Sequence, residues 1–212
     1  MTYLTRTPDL VKPLARDLLW HGSRQGRSLH LTFDDGPIPE VTPWVLDRLS
    51  EHGAKATFFC VGRNAADHPA ILDRIRAEGH AVGNHTWDHA NGWSTTGRAY
   101  LRSVLACDAV VGSRLFRPPY GRITRGQVSA LKKRFRIVMW DVLSADFDTT
   151  IDGARCVDNM VRHVRPGSIV VLHDSLKAWD RLRIALPRAL EHFSREGYSF
   201  VPLGASTSGA PA

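Results

Sequence analysis

Asp34 and Asp35 stand side by side in the run Thr32-Phe33-Asp34-Asp35-Gly36-Pro37. Adjacent carboxylates facing one dry site would repel, and a metal ion or an arginine removes that conflict. Read alone, the run is equally a turn signal. Further on come His85 and His89, four positions apart. On a helical turn that spacing puts both rings on one face, within reach of one ion. Neutral imidazoles joined by a carboxylate suit zinc and its borderline neighbours. Three protein ligands leave positions open for water and substrate, the pattern of a catalytic rather than a closed structural ion.

Three more clusters carry groups of this kind. In Arg117-Pro118-Pro119-Tyr120-Gly121 two prolines stiffen the chain and remove backbone donors. The Tyr120 N–H then sits free at a rigid bend, a suitable donor to an oxyanion. Several carboxylates crowd the stretch from Asp141 through Asp146 to Asp148. One of them could orient a histidine or an arginine, and solvated loop acids are the plainer alternative. His173 ends the apolar run Val170-Val171-Leu172. Alone it reads as a satisfied core histidine; beside four other clusters it reads as a general acid.

Something must bring these clusters together. Short apolar runs at Leu29–Phe33, Ala56–Val61, Ala81–Gly83, Leu115–Arg117, Ile137–Trp140, Ser168–Leu172 and Ser199–Val201 predict strands. Helical periodicity fills the stretches between them: Pro39–Glu51, Pro69–Glu78, Thr96–Val111, Gln127–Lys133, Gly153–Val164 and Leu176–Arg195. This alternation predicts βα units and a mainly parallel sheet, either open and doubly wound or curled into a barrel. Seven strands fall short of a complete eightfold barrel. Nearly every polar cluster follows a strand, and in a βα barrel those ends form one face. Ahead of the first long strand, Leu10–Trp20 predicts a short helix packed on the outside. The expected organisation is an N-terminal helical extension (1–27), a catalytic domain (28–203) and a disordered tail (204–212).

Composition limits the alternatives. The chain has 212 residues, 43% hydrophobic and 23% charged, the values of an ordinary globular domain. No apolar run approaches the roughly 20 residues of a membrane span. Lys and Arg number 28 against 21 Asp and Glu, a net charge of +7. The charge is scattered, so nothing beyond net charge points to a nucleic acid and no specific nucleic-acid partner is expected. Cys60, Cys107 and Cys156 form no C-x-x-C pair, which excludes a zinc ribbon and a dithiol redox motif and suits a reducing compartment. The first twenty residues lack the hydrophobic stretch of a signal peptide, so a cytoplasmic location is the expectation. No oligomer interface is legible, and a monomer is expected.

The five clusters, in this order, resemble the motifs of the polysaccharide deacetylases, the NodB-homology domain of carbohydrate esterase family 4. The resemblance runs from about Leu29 to about Leu203. It implies an incomplete, distorted (β/α) barrel of about seven parallel strands. It also implies metal-dependent removal of acetyl groups from N-acetylated sugar oligomers or polymers, such as the N-acetylglucosamine of chitin-like or peptidoglycan-like chains. Carried over, Asp35, His85 and His89 match the metal ligands, with zinc foremost and cobalt or nickel as alternatives. Asp34 matches the base and Arg117 the arginine that holds it. The Tyr120 N–H matches the oxyanion donor, and Tyr120 also borders the substrate. His173 matches the acid and Asp146 its orienting carboxylate, with Asp141 and Asp148 competing for that role. Leu172 resembles the apolar wall of the acetyl pocket. Members often have Trp where this chain has Phe147, which keeps an aromatic wall without the indole donor.

Other readings on the same fold are an O-acetyl xylan esterase or a small cytoplasmic amide hydrolase. A binding module without activity is disfavoured, because Asp34, Asp35, His85, His89 and His173 are all present. Trp44 is expected in the core. Trp87, taken as a substrate contact, Trp93 and Trp179 could each form a sugar platform or pack on the domain. Short loops predict an open groove.

Overall fold

A computed structural model describes residues 3–204. Residues 1 and 2, and residues 205–212 of the expected tail (204–212), lie outside the described residues.

In chain order the elements are β1 (Leu18–Leu19), β2 (Ser28–Asp34), α1 (Thr42–Glu51), β3 (Thr57–Cys60), α2 (Gly62–Asp67), α3 (Pro69–Ala77), β4 (Ala81–Asn84), α4 (Gly97–Val111), β5 (Leu115–Phe116), α5 (Arg125–Leu131), β6 (Arg136–Val138), β7 (Val142–Leu143), α6 (Gly153–His163), β8 (Ile169–His173), α7 (Trp179–Arg195) and β9 (Ser199–Phe200). The main sheet runs β1-β6-β5-β4-β3-β2-β8-β7, and all its pairings are parallel. It curls through 251° into a half-barrel ringed by the helices. The barrel expected from the sequence is therefore present and incomplete.

Strand alternation sorts the side chains into two layers. Along β2, Leu29, Leu31 and Phe33 join a core shared with Leu182, Leu186 and Leu190 of α7 and Val45 and Leu46 of α1. Thr32 and Asp34 alternate to the inner face, where Arg117 bonds both. A smaller apolar cluster of Phe59, Leu115, Val138, Ile169 and Leu203 fills the inside of the barrel. The three cysteines are free and buried.

The N-terminal segment departs from the expected helix over Leu10–Trp20. It contains one 3-10 turn, Lys12–Ala15, and then β1. Pro13 sits in the first turn of that short helix, and Leu10 and Leu14 are 88% and 85% exposed, so no apolar face holds a longer one against the domain. The segment instead joins the two edges of the open sheet. Residues 5–7 pair antiparallel with β7 through Leu143 N–H to Thr5 O and Thr7 N–H to Asp141 O. Leu18 and Leu19 add a parallel strand to β6. Under this bridge, the fully buried Asp141 accepts from Lys12, from Arg24 at 2.8 Å and from Ser168 at 2.7 Å. No helix is long and apolar enough to cross a membrane among the described residues.

Candidate active site

The polar clusters converge at the C-terminal ends of the strands, and backbone strain marks the place. Among the described residues, non-glycine residues with φ in the left-handed region are Asp35, Thr86, His89, Tyr120 and Ala145. All five lie in the loops carrying the clusters. Such conformations are unfavourable for L side chains and persist only where surrounding contacts hold them.

Asp34 ends β2 and Arg117 follows β5. The guanidinium is fully buried and donates to Asp34 Oδ1 at 2.7 Å, Thr32 Oγ1 at 2.7 Å and the Met139 carbonyl at 3.0 Å. Its plane lies 4.2 Å from the Phe59 ring centroid. Burial lowers the Arg117 pKa and the Asp34 charge opposes that shift. An arginine stays charged in such a setting, so Asp34 has a permanent cationic partner.

One residue on, Asp35 turns back at φ 84°, and Asn64 of α2 donates to its carbonyl at 2.8 Å. Gly36 is required here, because a Cβ would overlap the Asp174 carboxylate. That carboxylate accepts from Gly36 N–H at 3.0 Å and from the Thr42 hydroxyl at 2.6 Å, pinning the turn. Burial pushes the Asp174 pKa up to about 8.

His85 Nε2 lies 3.8 Å from Asp35 Oδ1, and His89 Nε2 lies 3.2 Å from it. One ligand atom from each of the three residues falls within 4.8 Å of the others. His85 donates from Nδ1 to the Arg117 carbonyl at 2.8 Å, and His89 Nδ1 meets the Tyr120 hydroxyl at 3.1 Å. Both rings are thereby oriented with Nε2 toward Asp35, the arrangement metal-binding imidazoles need. Burial pushes His85 down to about 4, so it is the neutral, ligating form. Asp35 Oδ1 is buried and accepts no hydrogen bond of good geometry. Burial would raise the Asp35 pKa, but the surrounding imidazoles of His89, His173 and His85 pull it well below the carboxylate range. An orphaned anionic oxygen facing two imidazole nitrogens fits a divalent cation.

The expected helical turn for His85 and His89 is not what brings them together. Residues 85–90 form an irregular loop. Thr86 and His89 take positive φ, Thr86 N–H bonds Asn84 Oδ1 at 2.9 Å, and Gly62 and Arg63 of α2 donate to the Thr86 and Trp87 carbonyls. The fold-back places the two rings 5.1 Å apart.

His173 ends β8 and is paired in register with Asp34 on the neighbouring strand, so both side chains rise from the same inner face. Asp146 accepts from His173 Nδ1 at 2.7 Å and from its backbone N–H at 2.8 Å. Asn159 of α6 and Arg181 of α7 hold this loop through the Ser144 and Asp146 carbonyls. Burial alone would lower the His173 pKa; the Asp146 charge overrides it and raises it to about 9. Phe147 stands edge-on to the His173 ring at 5.5 Å. Asp141 is committed to Lys12 and Arg24, and Asp148 to Tyr3 and Thr150, so neither orients His173.

Two substrate candidates are displaced. Leu172 alternates away from His173 and is buried with Phe33 and Leu182 under the helices. Val171, two residues before His173, shares its face; a period of two along β8 is the signal that finds it. Trp87 is half-buried against the core and lies against Gly62, where a Cβ would crowd its ring. Trp44 and Trp179 pack edge-on at 5.1 Å. Trp93, by contrast, is 67% exposed.

Tyr120 takes φ 60° and its backbone N–H has no acceptor among the described residues. An open cleft of about 250 Å³ is lined by Asp35, Val61, Arg63, Asn64, Asp88 and His89. A larger hollow beside Gly112, Ser113 and Arg114 precedes β5, at the opposite strand ends, and none of the clusters reaches it.

The family model described as polysaccharide deacetylase matches residues 21–134. The chain is 34% identical to a peptidoglycan-N-acetylglucosamine deacetylase of Bacillus cereus over 181 residues, 82% of this chain and 66% of that protein. It is 38% identical to a chitooligosaccharide deacetylase of Azorhizobium caulinodans over 159 residues, 69% of this chain and 73% of that protein. The crystal structure of the Bc1960 peptidoglycan N-acetylglucosamine deacetylase superposes with a TM-score of 0.84 at 30% identity, covering 93% of this chain and 95% of that one.

Proposed function

Because the chain belongs to the polysaccharide deacetylase family, we propose that it hydrolyses the acetamide of N-acetylglucosamine units in a glycan, releasing acetate and leaving a free amine. The relatives act, by their names, on peptidoglycan N-acetylglucosamine and on chitooligosaccharides. The observation that carries the reading is the pairing of Asp34 with His173 beside the Asp35–His85–His89 triad. A base and an acid stand at one group of metal ligands.

Asp35, His85 and His89 would hold the ion, and their two imidazoles and one carboxylate suit zinc. A divalent cation held there would polarise the acetyl oxygen and lower the pKa of a water molecule. Asp34, aimed by the Arg117 guanidinium 2.7 Å away, takes a proton from the attacking water. As the carbonyl carbon becomes tetrahedral, the unpaired Tyr120 N–H donates to the oxygen that gains charge. One such donor is worth about 3 kcal/mol in transition-state stabilisation. His173, charged through Asp146, passes its Nε2 proton to the sugar nitrogen. The C–N bond breaks, acetate departs and the amine stays on the sugar. Base and acid need opposite protonation states at one pH, and Asp146 raises the His173 pKa to about 9 for the acid. Phe147 offers an apolar ring beside His173.

Mass spectrometry of an N-acetylglucosamine tetramer incubated with the zinc-loaded protein tests this. The expected product carries free amines, and His173→Ala is expected to form it at least about a hundredfold more slowly. An unchanged tetramer, together with unchanged peptidoglycan fragments and acetylxylan, would overturn the reading.

A further inference from the structure

A line of exposed groups leads away from the metal ligands. The His89 ring meets the Tyr120 ring edge-on at 4.6 Å. The Arg122 guanidinium lies 5.6 Å from the Tyr120 ring centroid and 5.2 Å from that of Trp93. Tyr120 is 60% exposed and Trp93 67%. Among the described residues exposed Arg122 has no ion pair and no side-chain hydrogen bond, so its charge is not committed to another side chain.

The arrangement is held in place. Buried Gln127 donates to the Gly92 carbonyl at 2.9 Å and accepts from Thr124 N–H at 2.9 Å, locking the Trp93 loop to the Arg122 loop. Gly92 lies so close to the Arg122 carbonyl that a Cβ would overlap it. Asn91 caps the turn by accepting from Trp93 N–H at 3.0 Å. A large aromatic ring presented to water on a braced loop is organised in advance for a ligand. A guanidinium resting on two rings leaves its N–H edge free, and that edge matches a carboxylate.

We propose that Trp93 and Arg122 form a subsite for a carboxylate-bearing sugar unit neighbouring the unit that is deacetylated. The Trp93 ring supports the apolar face of that sugar, and Arg122 takes its carboxylate. The inference rests on the deacetylase reading and deepens it. The preferred substrate is an acidic glycan of the peptidoglycan type, in which N-acetylglucosamine alternates with a sugar carrying a lactyl carboxylate. Two more cations without ion-pair partners among the described residues stand near the site and favour the same charge: Arg63 lines the cleft beside Asp35 and His89, and Lys177 lies 6.0 Å from the Phe147 ring centroid.

The test compares three probes on the zinc-loaded full chain. They are peptidoglycan-type tetrasaccharides, the same tetrasaccharides with the lactyl carboxylate converted to its methyl ester, and the N-acetylglucosamine tetramer. Both kcat/KM and binding by calorimetry are measured. The expected wild-type preference is acid over ester by about tenfold, carried in KM, as one charge-assisted contact at an open site supplies. Arg122→Ala is expected to remove that preference, and Arg188→Ala on α7, a control for net charge, to leave it. Trp93→Ala is expected to raise KM for all three probes. Equal loss on acid and ester in Arg122→Ala, or no wild-type preference, would overturn the subsite. If no probe is deacetylated but the acid still binds better than the ester through Arg122, the subsite stands and the deacetylase reading falls.

Discussion

Arg117 carries most of the site's electrostatic order. It is buried, holds Asp34 at 2.7 Å, and its own carbonyl orients His85. Removing it strands a buried carboxylate, which typically costs about 3–5 kcal/mol. Arg117→Ala is therefore expected to lose that much stability in urea titrations and at least about a hundredfold in kcat/KM. Stability losses for Arg117→Ala and Asp34→Ala should fall short of additive in the double variant, because each breaks the same pair. His173 makes a second prediction. Its pKa rises from 6.5 to about 9 in the fold, so between those values the native state holds a proton that the unfolded chain has released. In metal-free protein its stabilising contribution is complete below about 6.5 and disappears as pH climbs through 9. Asp146→Asn removes the main raising charge, so it should flatten stability over that window and move the alkaline limb of the rate profile to lower pH. An unmoved limb would separate Asp146 from the proton transfer.

These residues were legible in the sequence because each cluster is contiguous and its chemistry is local. Asp34, Asp35, His85, His89, Arg117 and His173 lie together at the C-terminal strand ends. Leu172 packs into the core with Phe33 and Leu182, because successive residues of β8 face opposite sides of the sheet. The choice among Asp141, Asp146 and Asp148 depended on partners far away in the chain, Lys12 and Tyr3 among them, and no local pattern announces those.

At the scale of elements, the long strands and helices follow from periodicity and come out within a few residues. What was missed is short. β1 and β7 have two residues each, too few for any period, and exist because the curled sheet leaves edges to pair. α2 is six residues long, and its start donates to the loop that folds back His85 and His89. The histidine pair read as a helical turn is built by that loop instead. Asp141 belongs to the clasp of the sheet. Asp141→Ala would leave Lys12 and Arg24 without their shared acceptor, with an expected loss of about 3–5 kcal/mol. Its kcat, measured well below its unfolding temperature, is expected to match wild type. Asp146→Ala, which also breaks a buried pair, should in addition lower kcat at least about a hundredfold. A large fall in kcat for Asp141→Ala would put the clasp in communication with the site.

For the whole molecule, the half-barrel gathers loops from β2, β4, β5, β7 and β8 on one rim, while the N-terminal segment joins the sheet edges. The backbone strain at that rim is sustained by the packing of the rest. A bound divalent ion would tie two of these loops together, the ones after β2 and β4, so chelation is expected to lower the melting temperature as well as activity. The net charge of +7 comes from basic residues scattered along the chain. Acetate release tests the central claim most directly. It should be measured on N-acetylglucosamine oligomers and peptidoglycan fragments with zinc-loaded, chelated, zinc-restored and Asp34→Asn protein in parallel. The account predicts release by the loaded and restored protein, none after chelation and almost none from Asp34→Asn. Release that survives chelation, or that proceeds at the wild-type rate in Asp34→Asn, would contradict it.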